Sequence, residues 1–229
     1  MNATGPSSGG SWSARRLGIR VVLPIAAVLL VLGVLTALLA RGSSKPALPG
    51  NAGTTTSAHF EGTAVSPPQR APALDTLRNY DGSPFNLASD RGKATFVTFL
   101  YSHCPDVCPL IASDLHDTVA RLPPVLRHRV AVVAVSADPR GDTPGAVAGF
   151  VREHQLTGEA RYLIGSVAAL ARVWEAWKVG SQRDTSNPQL VNHSALVYGV
   201  SARGVLTTIY PATFEPSQLI HDVPALLAR

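Results

Sequence analysis

Two cysteines occur in the 229 residues, and both fall in one short run, Tyr101-Ser102-His103-Cys104-Pro105-Asp106-Val107-Cys108-Pro109. Three residues lie between them, so Cys104 in a loop and Cys108 in the first turn of a helix would bring both sulfurs to one point. Three chemistries suit such a pair. A structural disulfide is one, although a bridge closing so short a loop stabilises less than one joining distant segments. A dithiol that cycles to a redox-active disulfide is the second, and its usual spacing has two intervening residues rather than three. The third is a soft-metal site, because two thiolates suit Cu(I) or Zn and need a further ligand from elsewhere.

The seven histidines are the place to look for that ligand. His116, His128, His154 and His221 lie among charged residues in or beside expected helices, and His59 lies in a stretch rich in small residues. His193 differs, because Asn192-His193-Ser194 leads directly into the apolar run Ala195-Leu196-Val197-Tyr198. A histidine at a strand start, taken alone, reads as a hydrogen-bonded structural residue. Facing a dithiol across one cleft, it reads as the third ligand. His103 is the rival, but its side chain should diverge from that of its neighbour Cys104, which suits it better to tuning the thiolate.

The elements that would position these residues follow from apolar patterning. Leu74 to Leu87 reads as a hairpin turning at Asp81-Gly82. Ala94 to Tyr101 is a continuous apolar run, as expected of a strand buried on both faces, and Val130 to Val135 is a second. Between them Leu110 to Leu122 carries a helical pattern with Pro109 at its first position, so the order is strand, helix, strand. Helices are expected at about Pro144 to His154 and Val167 to Trp177, with a short apolar run at Tyr162 to Ile164. A hairpin from His193 to Val200 and Val205 to Tyr210, then a helix begun at Pro216, complete an α/β layered domain of thioredoxin-like type. In such a sheet the cysteines sit at the carboxyl end of the first buried strand, where sites form, and at a helix N-terminus, which lowers a thiol pKa.

Charge placement bounds the partners. Lys and Arg total 20 against 15 Asp and Glu, yet Arg15, Arg16, Arg20, Arg41 and Lys45 precede the first acidic residue, which leaves the remainder balanced. A neutral domain argues against nucleic acid, which requires a basic face. Val21 to Ala40 runs 20 residues without a charge, about 30 Å of helix and enough to cross a bilayer. Residues 1–20 are therefore expected on the cytoplasmic side, 21–40 as a single transmembrane anchor and 41–69 as a Gly-, Pro-, Ser- and Thr-rich linker. Residues 70–229 form the folded domain outside the cytoplasm, at the cell membrane.

From about Arg70 onward the chain resembles the Sco/SenC copper proteins of cytochrome oxidase assembly. DGSPFNL, Arg91-Gly92-Lys93, FLYSHCPDVCP, VSADPRGDTP and NHSALVYGV occur in that family's order and spacing. The resemblance implies a membrane-tethered thioredoxin-like domain that binds one copper ion, Cu(I) or Cu(II), through Cys104, Cys108 and His193. Its implied role is that of a metallochaperone delivering the ion to the copper A centre of cytochrome c oxidase subunit II, with a possible reductase activity on the target's cysteines. Asn192 departs from the family, where an acidic residue is common before the histidine. Asp138 and Asp142 match it, and their expected role is to cap the Pro144 helix and fix the preceding loop. A thiol-disulfide reductase of extracytoplasmic proteins is the alternative. It would more readily carry two residues between the cysteines and a proline before Ala195.

Overall fold

A computed structural model describes residues 59–229. The expected cytoplasmic segment, the anchor at 21–40 and most of the linker lie outside the described residues. Among the described residues no helix is long and apolar enough to cross a membrane.

Among the described residues nine strands and five α-helices make up the domain, with a short 3-10 turn at Leu87–Asp90. In chain order they are β1 Thr63–Arg70, β2 Arg78–Asn79, β3 Ala94–Leu100, α1 Val107–Arg121, α2 Pro124–Arg127, β4 Val130–Ser136, α3 Pro144–Glu153 and β5 Ala160–Ile164. There follow α4 Val167–Trp177, β6 Ser181–Arg183, β7 Val191–His193, β8 Leu196–Val200, β9 Val205–Pro211 and α5 Pro216–Leu227. Seven strands form one sheet in the order β1-β9-β8-β3-β4-β5-β2, and β6 and β7 form a separate two-stranded ribbon.

β3, β4 and β5 run parallel, and β8, β9, β1 and β2 are antiparallel to their neighbours. Every residue of β3 is buried, because Phe96 and Leu100 face one apolar layer while Val97 and Phe99 face the other. α1, α3 and α5 supply the first layer through Ile111, Leu115, Phe150, Leu219 and Val223. α4 supplies the second through Leu170, Val173 and Trp177. Burial on both faces is why β3 and β4 read as unbroken apolar runs rather than alternating ones.

Several expectations are corrected. The linker was expected to run to residue 69, but Thr63–Arg70 is an edge strand paired with β9, and its register shift falls between Ala64 and Gln69, across Pro67 and Pro68. Two prolines and a bulge suit an edge, where their missing donors cost no ladder bonds. The hairpin at 74–87 shrinks to a turn. Gly82 has φ of +86°, Asn79 N–H donates to the Ser83 carbonyl at 3.0 Å and a single antiparallel bridge joins Arg78 to Pro84, but the strand pairing of β2 is with β5. The strand expected from His193 to Val200 is broken, with β7 ending at His193 and β8 starting at Leu196. Finally, α1 begins at Val107, so Pro109 is its third residue, where the backbone N–H would also lack a helical partner.

Candidate metal centre

β3 ends at Leu100, and the chain turns through Tyr101 to Asp106 into α1, with Cys104 N–H donating to the Tyr101 carbonyl at 3.2 Å. That turn places Cys104 just before the helix and Cys108 in its first turn. Cys108 N–H, an orphan donor of the helix N-terminus, points at Cys104 Sγ from 3.4 Å. Both cysteines are free thiols and both are buried. His193, from the far end of the ribbon, brings Nε2 to 3.5 Å from Cys108 Sγ. The structure thus brings together the three residues singled out in the sequence.

The imidazole is held in a defined pose. Its Nδ1 lies 3.3 Å from the Ser194 carbonyl oxygen, which can only accept, so Nδ1 carries a proton and Nε2 is the ring nitrogen turned to the sulfurs. The Tyr101 ring meets it edge to face, with centroids 5.6 Å apart, and burial lifts the Tyr101 hydroxyl to about 12. Tyr101, Pro105, Asp106, Val107 and Leu190 wall a cleft of about 300 Å³ that Cys104 and His193 also line, open to solvent, with Cys108 outside its lining.

The two thiols share one proton between unequal partners. Cys104 is held well below the ordinary thiol range, first by the hydrogen bond from the Cys108 thiol, and also by His193 and the N–H groups of Asp106 and Cys108, against the opposing effect of burial. Cys108 is pushed up because its proton is the one donated and because its sulfur is buried beside a thiolate. An electron-rich sulfur, a second sulfur and an imidazole lone pair form a soft donor set. With bond lengths like those of zinc, about 2.3 Å to sulfur and 2.0 Å to nitrogen, an ion subtending about 110–120° needs a separation of about 3.5–3.7 Å between the two donors. The Cys108–His193 spacing meets this. Among the described residues no three His, Cys, Asp or Glu side chains are already closed around an ion position.

His103 does not join the group. Its Nδ1 lies 3.2 Å from Ser102 Oγ and the ring turns toward Gly141. Asp138 and Asp142 do not cap α3, because the Thr143 hydroxyl accepts from Ala146 N–H and fills that role. Asp142 instead accepts from the backbone N–H and hydroxyl of Ser102, both at 2.7 Å, from Ser136 Oγ at 2.6 Å and from Tyr162 Oη at 3.2 Å. Burial raises its pKa despite these donors. Tyr101, whose ring packs on the imidazole, and Arg183, whose guanidinium joins the His193 ribbon to the Asp138 carboxylate, are neighbours of the site that sequence reasoning missed. Nothing in the spacing of an arginine ten residues before the histidine marks it.

A central sheet with parallel β3, β4 and β5, antiparallel β8 and β9, and cysteines at the end of β3 defines a thioredoxin-like protein with a thiol and imidazole site. The chain belongs to the SCO1/SenC family, whose model matches residues 74–228. It is 27% identical over 155 residues to the mitochondrial SCO2 homologue of Mus musculus, covering 65% of this chain and 59% of that protein. The chain thus spans under two thirds of that relative's length. Among solved structures, apo Sco1 of Thermus thermophilus is 26% identical with a TM-score of 0.64, over 75% of this chain and 99% of that one. The copper-bound ScoI of Bradyrhizobium japonicum, 23% identical with a TM-score of 0.56 over 69% of this chain and 97% of its own, shares the fold.

Proposed function

We propose that this protein is a membrane-tethered metallochaperone that takes one copper ion as cargo on Cys104 Sγ, Cys108 Sγ and His193 Nε2. Its recipient is the copper A centre of cytochrome c oxidase subunit II. The observation that carries the reading is the Nε2 of His193 lying 3.5 Å from Cys108 Sγ, with the Cys104 thiolate alongside. Three donors suffice for Cu(I) and leave room for an incoming thiolate of the recipient. Exchange of ligands one at a time passes the ion on without freeing it. Oxidation of the pair, Cys104 as thiolate and Cys108 as thiol, forms the Cys104–Cys108 bond, gives up the one shared proton and passes two electrons to an external oxidant, and removes both sulfur donors. The thiol state therefore gates loading.

Titrating the reduced protein with Cu(I) against a competing chelator tests the site. Cys104→Ser and Cys108→Ser are expected to abolish tight binding and His193→Ala to weaken it, with one ion bound per wild-type chain. Unchanged affinity in the cysteine variants would overturn the reading.

A thiol-disulfide reductase is favoured by one observation, the depressed pKa of Cys104 beside a protonated Cys108, which is how an attacking and a resolving thiol are arranged. Catalytic turnover of a disulfide substrate with a recycling reductant, undiminished in His193→Ala, would support it over copper transfer.

A further inference from the structure

His193 is carried by a ribbon, β6–β7, that pairs with nothing in the seven-stranded sheet. Ladder bonds to the sheet therefore do not reach the imidazole directly: the backbone holds it from one side, through Ser194 N–H on the Gly180 carbonyl at 3.0 Å and the short run into β8, and side chains hold the ribbon from the other. Arg183 stands opposite Val191 in the ribbon register, and its guanidinium donates to Asp138 Oδ1 and to the Pro188 carbonyl. The Asp138 side chain is 4% exposed and that of Arg183 28%, so the pair is largely shielded from water. Ser181 Oγ adds a bond to the Ala137 carbonyl at 2.9 Å.

The turn of the ribbon is closed by its own hydrogen bonds. Asp184 Oδ1 accepts from Ser186 N–H at 2.7 Å and Asn187 N–H at 2.9 Å, while its Oδ2 lies 3.3 Å from Asn192 Nδ2. It is expected to move as one body, with its orientation set at the Arg183 end.

Asp138 lies on the loop after β4, and four residues further on Asp142 holds Ser102, two residues before Cys104. The loop between the two carboxylates is closed on itself. Asp142 N–H donates to the Asp138 carbonyl at 2.9 Å, and Arg140 N–H donates to Asp138 Oδ1 at 3.1 Å. One short loop thus grips the cysteine turn with one carboxylate and the histidine ribbon with the other.

We propose that Asp138 and Arg183 are positioning residues that set the reach of His193 to the thiol pair, with the Ala137–Asp142 loop fixing the spacing between the two halves of the site. The role rests on the three-donor copper reading given above. Neither residue meets the ion, so both act through His193.

The test uses the full chain with R183Q, R183K and D138N, each alone and R183Q also with H193A. In the reduced, metal-free protein, the nuclear Overhauser contact between the Tyr101 and His193 rings should be lost in R183Q and D138N and kept in R183K. Cu(I) affinity should fall about 10–100-fold in R183Q, as for other residues that orient a ligand, and recover in R183K. R183Q should add no further loss to H193A. Ring contacts and affinity preserved in R183Q, or a full additive loss in the double variant, would overturn the proposal. Should R183Q not fold, D138N carries the same comparison, because it keeps the side-chain shape and removes the charge. If the wild-type chain binds no copper, the three-donor reading fails, and the ring contact alone then decides whether the clasp exists.

Discussion

Cys104 and Cys108 are chemically distinct although they share one motif, and the difference comes from which sulfur keeps the proton. Cys104 sits at the helix mouth with N–H donors and the Cys108 thiol aimed at it, while Cys108 is fully enclosed beneath it. Alkylation of the reduced, metal-free protein should therefore label Cys104 first, with a pH midpoint well below that of an ordinary thiol. Because the Cys108 thiol is the largest cause of the depression, Cys108→Ala should move that midpoint upward, toward the usual thiol value near 8.5. Mass-resolved labelling across the pH range reads this directly, and a midpoint that does not move would assign the effect to the helix N–H groups instead. Buried carboxylates matter at this scale as well. Asp142→Ala would leave the Ser136 and Tyr162 hydroxyls and Ser102 N–H without their acceptor. Each buried group left unpaired costs about 1–3 kcal/mol, so a loss of about 3 kcal/mol in urea unfolding is expected, together with a loosened cysteine turn.

Edge strand β1 shows how an element is held where its own sequence is weak. It is mostly exposed, and its entry is pinned by Asp222 of α5, whose carboxylate accepts from Glu61 N–H at 3.0 Å, Gly62 N–H at 3.2 Å and Tyr210 Oη at 2.6 Å. His221 Nδ1 lies 2.8 Å from the same carboxylate, which raises the His221 pKa above 6.5. A raised folded value means the protonated ring adds stability below the unfolded value, and this is lost as pH rises through the folded one. His221→Ala should accordingly cost more stability at about pH 5.5 than at about pH 8.5, measured by urea unfolding at each pH. An equal cost at both would show that the ring acts only by packing. What the sequence made legible follows the same physics. β3, β4, α1, α4 and α5 were readable because local pattern and burial agree. β1, β6 and β7 were not, because short exposed strands rich in proline or polar residues are made by partners distant in the chain, such as β9 and the Asp138–Arg183 pair. The donors Cys104, Cys108 and His193 were readable from residue type and context. The residues that aim them, Asp142, Arg183 and Tyr101, act through contacts that no spacing rule encodes.

At the scale of the whole molecule the question is how a neutral domain meets its proposed recipient. Beyond Lys45 the chain carries equal numbers of acidic and basic residues, so long-range attraction to a charged partner or surface contributes little to encounter. Attachment to the same membrane would supply the encounter instead, by raising the effective concentration of donor and recipient in one plane. The uncharged run from Val21 to Ala40 is the proposed means, and a charge placed at the centre of such a span costs about 2.5–3.5 kcal/mol. The 229-residue protein expressed in bacteria is expected to stay with membranes after alkaline carbonate washing, and a variant carrying both Leu30→Arg and Leu35→Arg to be released. The released variant should bind copper with the same stoichiometry as the wild type, since Cys104, Cys108 and His193 lie in the separate folded domain, but should load the recipient far more slowly at equal total concentration. Equal membrane retention of the two proteins would remove the anchor from the proposal. Equal loading rates despite release would remove the advantage of confinement and leave diffusional encounter as the route of transfer.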